Sequence, residues 1–545
     1  MAIAQEKRPG RRARDLSAFQ AVVWADPEGE CDHCGAPLRL QQHRLRALQL
    51  LGSKLLVTQK DRCCSNSECC DESATMLRPQ VEETKLVIKG CEYGLDVVAL
   101  VGERHMLGHR SFREIHEELT QTHKVSISSR HVPNLFRLYL AIVGARTLNS
   151  KAVQERLSVQ KELILSVDAV RFDDVSPPLY VVREVNCQEI LLAERIEKAD
   201  TASLVAFLNK LSPFKASIAG LVSDKEKALI TAVDQVFPGV PHQYCQTHFF
   251  SNLVRPMESD LSALSSEVDT VVKSVRELSQ RLDKEKASGP GELELAKMVC
   301  DSVQIIGKAR GDKLFEPAAL TRYQRLTATH ARVDEALEKR TGTESWPLLI
   351  WLLYKLEQLK KWSDLAGRLS RQVTVIREIS RLLNVDARGK TVQASLRKYL
   401  KGLQKEASRP QTDEALTSFL QHVIAVTERF WPGLFACYDL EGLPSTNNEL
   451  ESFFRTLKWH QRRVQGKKST AGGLLESFAP LLVQLWPMLK RRPDLQALFE
   501  GLSYEEIQSL QERITSLSEP ARARRSFRRD SDTQLEQALA KWSAE

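Results

Sequence analysis

The hydrophobic pattern of this chain changes period twice, near residue 161 and again near residue 253. Between these points three short β-rich runs, LILSVDAVRF, PLYVVREVN and EILLAERIE, precede a helical stretch, an apolar strand, a second helix and the short strand HQYCQTHF. Three consecutive strands followed by alternating helix and strand predict a mixed α/β sheet. From residue 253 to 440 the strand signal disappears, and stretches such as SWPLLIWLLYKLEQLKKW predict an all-helical block. A chain of 545 residues with this pattern contains several domains.

Six of the eleven cysteines lie between residues 31 and 70, in two groups about thirty residues apart. Grouped cysteines in a long chain indicate metal binding rather than disulfides. Two thiolate pairs make a closed tetrahedral zinc site, which stabilises a unit too poor in apolar residues to fold alone. The predicted zinc ligands are Cys31, Cys34, Cys64 and Cys69. The doubled cysteines leave Cys63 and Cys70 as alternatives, and His33 could replace one ligand.

Residues 94–145 show apolar side chains at helical spacing in three segments. Ser111 and Glu114 predict a capping box for the second helix, and Ser128 or Ser129 is the expected N-cap of the third. The short KVSIS connection predicts a helix-turn-helix that binds DNA, although a linker bundle with a solvated basic face fits the same pattern. The predicted DNA contacts are Arg110, Arg113, Lys124, Arg130 and Arg137.

Carboxylates stand at the ends of two predicted strands. Asp168 lies in LILSVDAVRF, and Asp224 ends IAGLVSD and opens a helix. A solvated turn or an N-cap explains either acid singly, but the carboxyl ends of strands in one sheet converge on one crevice. Glu449 and Glu451, in STNNELESFF, are candidates for a third acid. Three carboxylates suit Mg²⁺, and two such ions can catalyse phosphoryl displacement, yet spacing alone does not select these acids among seventy.

The net charge of +8 is modest, but basic residues concentrate in three patches, at residues 7–14, 452–475 and 522–529. The middle patch contains no acid and follows Glu451 along the same predicted helix, so its charges could grip a DNA backbone. Its members are Arg455, Lys458, Arg462, Arg463, Lys467 and Lys468.

These motifs, in this order, resemble the RNase H-like DDE transposases, above all the insertion-sequence and Mutator-like enzymes with an all-helical insertion. The resemblance rests on VSDKEKALITAVDQVFPGVPHQYCQTHFFSNL, on the Cys-x2-His element at Cys245 and His248, and on STNNELESFFRTLKW. It covers residues 163–252 and 444–468 clearly. By resemblance Asp168 and Asp224 are the first two metal ligands, and the TNNxxES pattern places the third on Glu451 rather than Glu449.

Cys245 and His248 have two interpretations. They could form half of a zinc site, although no second pair lies nearby in sequence, or a buried cysteine could pack beside a hydrogen-bonded histidine. In the resembled family this element adjoins the active site. The resemblance therefore implies a supporting role for His248 in catalysis, either contacting the scissile phosphate or orienting an acid.

The resemblance implies a DNA transposase with two Mg²⁺ ions (Mn²⁺ as a substitute) and structural Zn²⁺, acting on element ends and target DNA as a homodimer or higher oligomer. Two alternatives are a non-catalytic DNA-binding regulator on the same fold and an RNase H-like nuclease without strand transfer. No stretch is apolar enough to span a membrane or serve as a signal peptide. We expect a cytoplasmic protein, nucleoid-associated if bacterial.

The expected fold is multidomain α+β. A flexible basic lead-in (1–30) precedes a zinc-ribbon-like unit (31–90) and a helix-turn-helix domain (91–150). An RNase H-like mixed α/β core follows in two parts (161–256 and 441–490), interrupted by an all-helical insertion (257–440). A helical C-terminal tail (491–545) closes the chain.

Overall fold

The computed structural model describes residues 16–25, 29–31, 34–66, 69, 87–172, 176–282, 290–311, 314–339, 346–467 and 473–543. The chain divides into two compact units: unit 1 comprises Met1–Ser217 and Glu449–Glu545, and unit 2 comprises Ile218–Asn448. Several residues singled out from the sequence lie outside the described ranges. They are His33, Cys70, Lys468 and the basic segment 7–14.

Unit 1 opens with a three-stranded sheet. Its strands are β1 (Gln20–Trp24), β2 (Leu38–Gln49) and β3 (Lys54–Cys64). The central strand β3 pairs parallel with β1 and antiparallel with β2. A small core of Trp24, Leu48, Val57 and Val87 packs on this sheet. The lead-in predicted as flexible therefore contains an ordered strand, because β1 gains its hydrogen bonds from a strand thirty-five residues further along the chain.

Four helices follow: α1 (Leu95–Met106), α2 (Phe112–Gln121), α3 (Val132–Thr147) and α4 (Ser150–Leu157). The predicted capping box is present, since Ser111 and Glu114 exchange hydrogen bonds at the start of α2. The predicted N-cap of α3 is wrong: the helix begins after His131, which makes no side-chain cap. Pro133 at the start of α3 explains this, because proline is favoured in the first helical turn, where no N–H partner is needed.

A β-meander of β4 (Leu163–Val170), β5 (Leu179–Glu184) and β6 (Ile190–Arg195) comes next in unit 1, and all its pairings are antiparallel. Each strand of the meander matches one of the predicted β-rich runs. The helix α5 (Thr201–Asn209) follows, with the Asp200 side chain as its N-cap. β4 and β5 are buried along nearly their whole length, as expected for strands that are largely apolar.

Unit 2 begins with a βαβ motif. It consists of β7 (Ile218–Ser223), α6 (Lys227–Val236) and β8 (His242–Tyr244), and β8 runs parallel to β7. The helix α7 (Gln246–Val254) starts directly after β8. Strand, helix and strand occur here in the predicted order, and the parallel pairing places the carboxyl ends of β7 and β8 side by side.

The remaining described part of unit 2 consists of helices and their connections, with no strand among its described residues. Apolar faces of these helices share one core, against which Trp346, Trp351 and Trp362 pack. Its helices are α8 (Glu258–Leu282), α9 (Pro290–Gly307), α10 (Ala318–Glu338), α11 (Pro347–Glu357), α12 (Ser363–Leu383), α13 (Gly389–Ala407) and α14 (Glu414–Phe430).

The chain returns to unit 1 through α15 (Asn448–Gln465), followed by α16 (Leu474–Leu489), α17 (Leu495–Phe499), α18 (Tyr504–Arg529) and α19 (Ser531–Trp542). The predicted C-terminal tail is not a separate appendage, because Ile507 and Ile514 of α18 belong to the same buried core as α3 and α16. None of the described helices is long and apolar enough to cross a membrane.

Candidate active site

Asp224 and Cys245 follow the carboxyl ends of adjacent parallel strands. Ser223 of β7 is in register with Tyr244 of β8, and the Cys245 N–H donates to the Ser223 carbonyl oxygen over 2.8 Å. The next residue along each strand is therefore at the same sheet edge. This edge is where open α/β sheets bind ligands.

His248 fixes one oxygen of the Asp224 carboxylate. It lies one turn into α7, and its Nδ1 is 2.7 Å from Asp224 Oδ1. Hydrogen bonds to Asp224 and then to Cys245 raise the pKa of His248 to about 11, against a smaller opposing effect of burial. The imidazolium therefore stays protonated at neutral pH and holds the carboxylate in place. Of the two supporting roles considered from the sequence, this geometry favours orienting the acid.

Potential ligand atoms of Asp224, Cys245 and His248 lie within 4.8 Å of one another. Sequence spacing showed only the Cys-x2-His pair, because Asp224 is twenty-one residues away and joins the pair only through strand pairing. The Cys245 thiol, however, is fully buried and accepts the Asn447 N–H over 3.3 Å. Cys245 therefore fits the second interpretation given from the sequence, a buried cysteine that packs beside a hydrogen-bonded histidine.

The start of α7 also holds the segment that leads into α15. The Gln246 N–H donates to the Ser445 carbonyl oxygen over 2.9 Å, and the Thr247 hydroxyl donates to Asn448 Oδ1 over 2.8 Å. Together with the bond from Asn447 to Cys245, these contacts position residues 445–448. Asn448 is both the end of this segment and the first residue of α15.

Asp168 lies near the end of β4 in unit 1, opposite Val181 of β5. Its side chain is 8% exposed, and its Oδ1 accepts the N–H of Ala169 over 2.7 Å. A buried carboxylate is costly unless hydrogen bonds or a cation stabilise its charge. A bound cation would stabilise the charge of the buried Asp168 carboxylate. Asp168 is therefore a better candidate for a metal ligand than an acid on an exposed turn.

Glu449 and Glu451 face different surroundings on α15. The Glu449 side chain is 72% exposed and lies 3.8 Å from the guanidinium of Arg183 on β5. Glu451 is half-buried and shares a helix face with residues four and seven positions later. Glu449 thus forms a solvent-exposed ion pair with Arg183, whereas the choice of Glu451 as third acid rests on the TNNxxES pattern.

The helix face of Glu451 continues as a basic stripe, which we define as Arg455, Lys458 and Arg462. The spacing of these residues puts them on the same side of α15 as Glu451. Arg455 and Arg462 are exposed, Lys458 is half-exposed, and Trp459 beside them is 50% exposed. Arg463 and Lys467, also predicted to bind DNA, are exposed outside this stripe. Cations next to a candidate catalytic acid suit a polyanionic substrate.

The four cysteines predicted as zinc ligands come together near the first sheet of unit 1. The sulfur atoms of Cys31 and Cys69 are 3.9 Å apart, and those of Cys34 and Cys64 are 3.5 Å apart. Thiolates bound at about 2.3 Å to one tetrahedral Zn²⁺ would be about 3.8 Å apart, so this donor set fits zinc. Cys63 points elsewhere, since its thiol donates to Gln41 over 2.9 Å.

The helix predicted to read DNA is largely unavailable for that role. α3 is buried on almost every side, and of its predicted contacts only Arg137 belongs to it, partly covered. A helix that is apolar all round belongs in a core rather than in a DNA groove. Arg110 pairs with Glu118, and Arg113 pairs with Glu117 on the exposed face of α2. Lys124 and Arg130 are exposed in the connection between α2 and α3.

Comparison with known proteins finds a transposase family that resembles part of this chain. A family model described as "Transposase, Mutator family" matches residues 186–297. This range contains Asp224, Cys245 and His248 but neither Asp168 nor Glu451. The match confirms the resemblance to transposases for this segment. No curated protein matches the chain. A solved structure titled "Drosophila P element transposase strand transfer complex" is 10% identical with a TM-score of 0.30, covering 74% of this chain and 92% of that one. A TM-score this low does not establish a shared fold.

Proposed function

We propose that this protein is a DNA transposase, and that Asp168, Asp224 and Glu451 bind the divalent cations of its active site. One observation carries the proposal. Asp224, at the end of β7 and oriented by His248, lies inside the segment that matches the Mutator transposase family. Asp168 and Glu451 belong to unit 1 and Asp224 to unit 2, so their joint action is part of the proposal.

Each residue has a distinct task in this mechanism. Asp224 Oδ2 would bind a cation while Oδ1 remains with His248. Asp168 and Glu451 supply further carboxylate oxygens, the ligand type that Mg²⁺ and Mn²⁺ prefer. When bound, two such ions activate the attacking oxygen and stabilise the leaving oxygen of an in-line phosphoryl displacement. The basic stripe of α15 would hold the DNA backbone next to the cut.

The proposed activity has two steps on the same site. Water first hydrolyses a phosphodiester at the end of the element, and the freed 3′-hydroxyl then attacks target DNA. A nuclease on the same fold would stop after the first step, and a DNA-binding regulator would perform neither. The three candidate acids argue against the regulator, and the match to the Mutator transposase family favours the transposase over the nuclease.

The test is a cleavage and joining assay. Purified protein with Mg²⁺ is incubated with labelled DNA from both flanks of its coding region, and with a plasmid target. We expect nicked and joined products from the wild-type chain and neither product from Asp168→Asn or Asp224→Asn. Asp234→Asn, an exposed acid on α6, is the matched control and should retain activity. Activity that survives Asp168→Asn would refute the site assignment, and cutting without joining would favour the nuclease.

We also propose that Cys31, Cys34, Cys64 and Cys69 hold a structural zinc ion. The support is the fit between their sulfur spacing and a tetrahedral site. Gly35 adopts a left-handed conformation, with φ of 71°, between the first cysteine pair and β2. Such a turn is inexpensive only for glycine, and the Gly35 N–H donates to the Cys31 carbonyl oxygen to close it.

A further inference from the structure

Unit 1 contains a cavity of about 230 Å³ that the proposed chemistry does not use. It lies between α2, α3, α15 and the first turns of α16, away from the cysteine cluster. Since one water takes up about 30 Å³ of the liquid, the cavity has room for a ring-sized ligand. It is also smaller than the ~300–1,000 Å³ typical of pockets for drug-sized molecules.

Buried polar atoms without a described partner converge on this cavity. Gln461 is 1% exposed, yet neither its Oε1 nor its Nε2 has a hydrogen-bond partner among the described residues. The same holds for Nε2 of the buried His105 and for Oε1 of Gln465, and all three residues line the cavity. Native proteins leave few such atoms, because each costs about 1–3 kcal/mol. Their concentration here indicates a site built for a polar ligand.

The hydrogen-bonding pattern of the site favours a ligand that donates. His105 Nδ1 lies 2.9 Å from the Arg110 carbonyl oxygen, so Nδ1 carries the proton and Nε2 is an acceptor. The oxygen atoms of Gln461 and Gln465 are acceptors as well, and the Gln461 amide nitrogen is the donor. A planar group with an exocyclic amine next to a ring acceptor matches this arrangement.

Apolar and cationic groups complete the lining. Phe112 and Phe478 contribute aromatic surface, and the backbone of α16 is kinked at Phe478, two residues before Pro480. Arg137 and Arg525 contribute guanidinium groups, and no described lining residue is acidic. Aromatic surface, a carboxamide edge and guanidinium groups are what proteins use for a base and its phosphate.

We propose that this cavity takes the base of a single nucleotide, with the base edge at Gln461 and the phosphate at Arg137 and Arg525. The nucleotide is either one residue of DNA rotated out of its helix or a free nucleoside monophosphate. The first source rests on the proposed function, whereas the second does not.

Calorimetry with the full chain tests binding of the free ligand. The probes are dAMP, dCMP, dGMP, dTMP and inorganic phosphate. We expect at least one nucleotide to bind about tenfold more tightly than inorganic phosphate. A second arm uses duplex DNA with a single mismatched 2-aminopurine, whose fluorescence reports rotation out of the helix. Absence of a base-dependent signal in both arms would indicate a water-filled cavity and overturn the proposal. Equal affinity for phosphate and every nucleotide would indicate a general anion site and overturn it as well.

Two variants locate the binding. Gln461→Leu should raise the melting temperature, because it removes polar atoms that lack partners, while it weakens nucleotide binding about tenfold. Arg525→Gln should weaken binding as well, and Arg528→Gln, an exposed arginine on the same helix, is the matched control. A lower melting temperature with unchanged nucleotide affinity in Gln461→Leu would also overturn the proposal. Asp224→Asn should bind nucleotide normally, which separates this inference from the proposed catalytic activity.

Discussion

Glu449 and Glu451 differ at the scale of the single residue. Both lie in the first turn of α15, two positions apart, so their side chains leave the helix in different directions. Glu449 meets the buried Arg183, while Glu451 heads the basic stripe. The TNNxxES pattern favours Glu451 by resemblance, and the structure adds that the two side chains have different surroundings.

The first prediction compares the two glutamates directly. Glu451→Gln should reduce Mg²⁺-dependent DNA cleavage by roughly a thousandfold or more, because a neutral amide cannot replace a carboxylate ligand. Glu449→Gln removes the same charge from the same turn and should keep most activity. Single-turnover cleavage rates measure both. Equal losses in the two variants would show that charge near the start of α15 matters rather than ligation by Glu451.

A second prediction at this scale concerns buried histidines of unit 1. Burial lowers the pKa of His105 to about 4, and burial together with His105 and His109 lowers that of His460 to about 2, from an ordinary value of 6.5. The unfolded chain therefore binds protons below pH 6.5 that the folded chain does not, and the free energy of unfolding falls as the pH drops. The loss should reach on the order of 3 kcal/mol per histidine by pH 4.

Thermal melting between pH 7 and pH 4 checks this expectation. His460→Gln should melt with a shallower dependence on pH than the wild-type chain. His43→Gln, a change of an exposed histidine on β2, should leave the slope unchanged. An unaltered slope in His460→Gln would mean that the acid sensitivity arises from other groups, such as His105, or His109, whose Nδ1 lies 2.8 Å from Nδ1 of His460.

At the scale of elements, the end of β3 determines which of two adjacent cysteines joins the cluster of Cys31, Cys34 and Cys69. Successive strand residues point to opposite faces, so Cys63 and Cys64 cannot both turn toward Cys34. Neither residue spacing nor composition reveals which one does. The pairing of β3 with β2, in which Cys64 is opposite Leu38, places Cys64 next to the Cys31 knuckle.

We therefore predict different outcomes for the two neighbouring cysteines. Cys64→Ser should lower the zinc content from about one ion per chain to nearly none and should reduce the melting temperature, because metal binding contributes folding free energy. Cys63→Ser should retain the metal. Atomic absorption on the purified proteins gives the result. Loss of zinc from Cys63→Ser with retention in Cys64→Ser would reverse the assignment.

The basic stripe of α15 is a second feature at this scale. Each of Arg455, Lys458 and Arg462 should contribute to phosphate binding, so substitution by glutamine should reduce the slope of log affinity against log salt by about 1 per residue. Fluorescence anisotropy with a labelled duplex measures the slope. Arg325→Gln, an exposed change on α10 in unit 2, is the control. Slopes that stay the same in all three variants would remove α15 from the DNA interface.

At the scale of the whole molecule, a transposase must act on both ends of its element. One chain offers one set of candidate acids, so we predict that the protein assembles as at least a dimer on DNA that contains both ends. Mass photometry with and without this DNA measures the assembly, and a random duplex of the same length is the control. A species with one chain per DNA at saturating protein would contradict the prediction.

Much of this organisation was predictable because it is local. Alternation and helical spacing identified the meander of β4 to β6, the βαβ motif and the long helical segment of unit 2, since burial of one face imposes these periods on the sequence. The capping box at Ser111 was predictable for the same reason. In contrast, the pairing of β1 and the burial of α3 depend on elements far away in the chain. The sequence near β1 and α3 therefore does not predict them.

The sequence by itself determined the types of residue available: thiolates for zinc, carboxylates for hard cations, and a basic helix for DNA. The tertiary structure decided which of them act together. Strand pairing brought Asp224 beside Cys245 and His248, and packing around α15 left Gln461 buried at a cavity without a described partner. The physical reason is that secondary structure follows from neighbours along the chain, whereas a site requires side chains that only the packed fold brings within bonding distance.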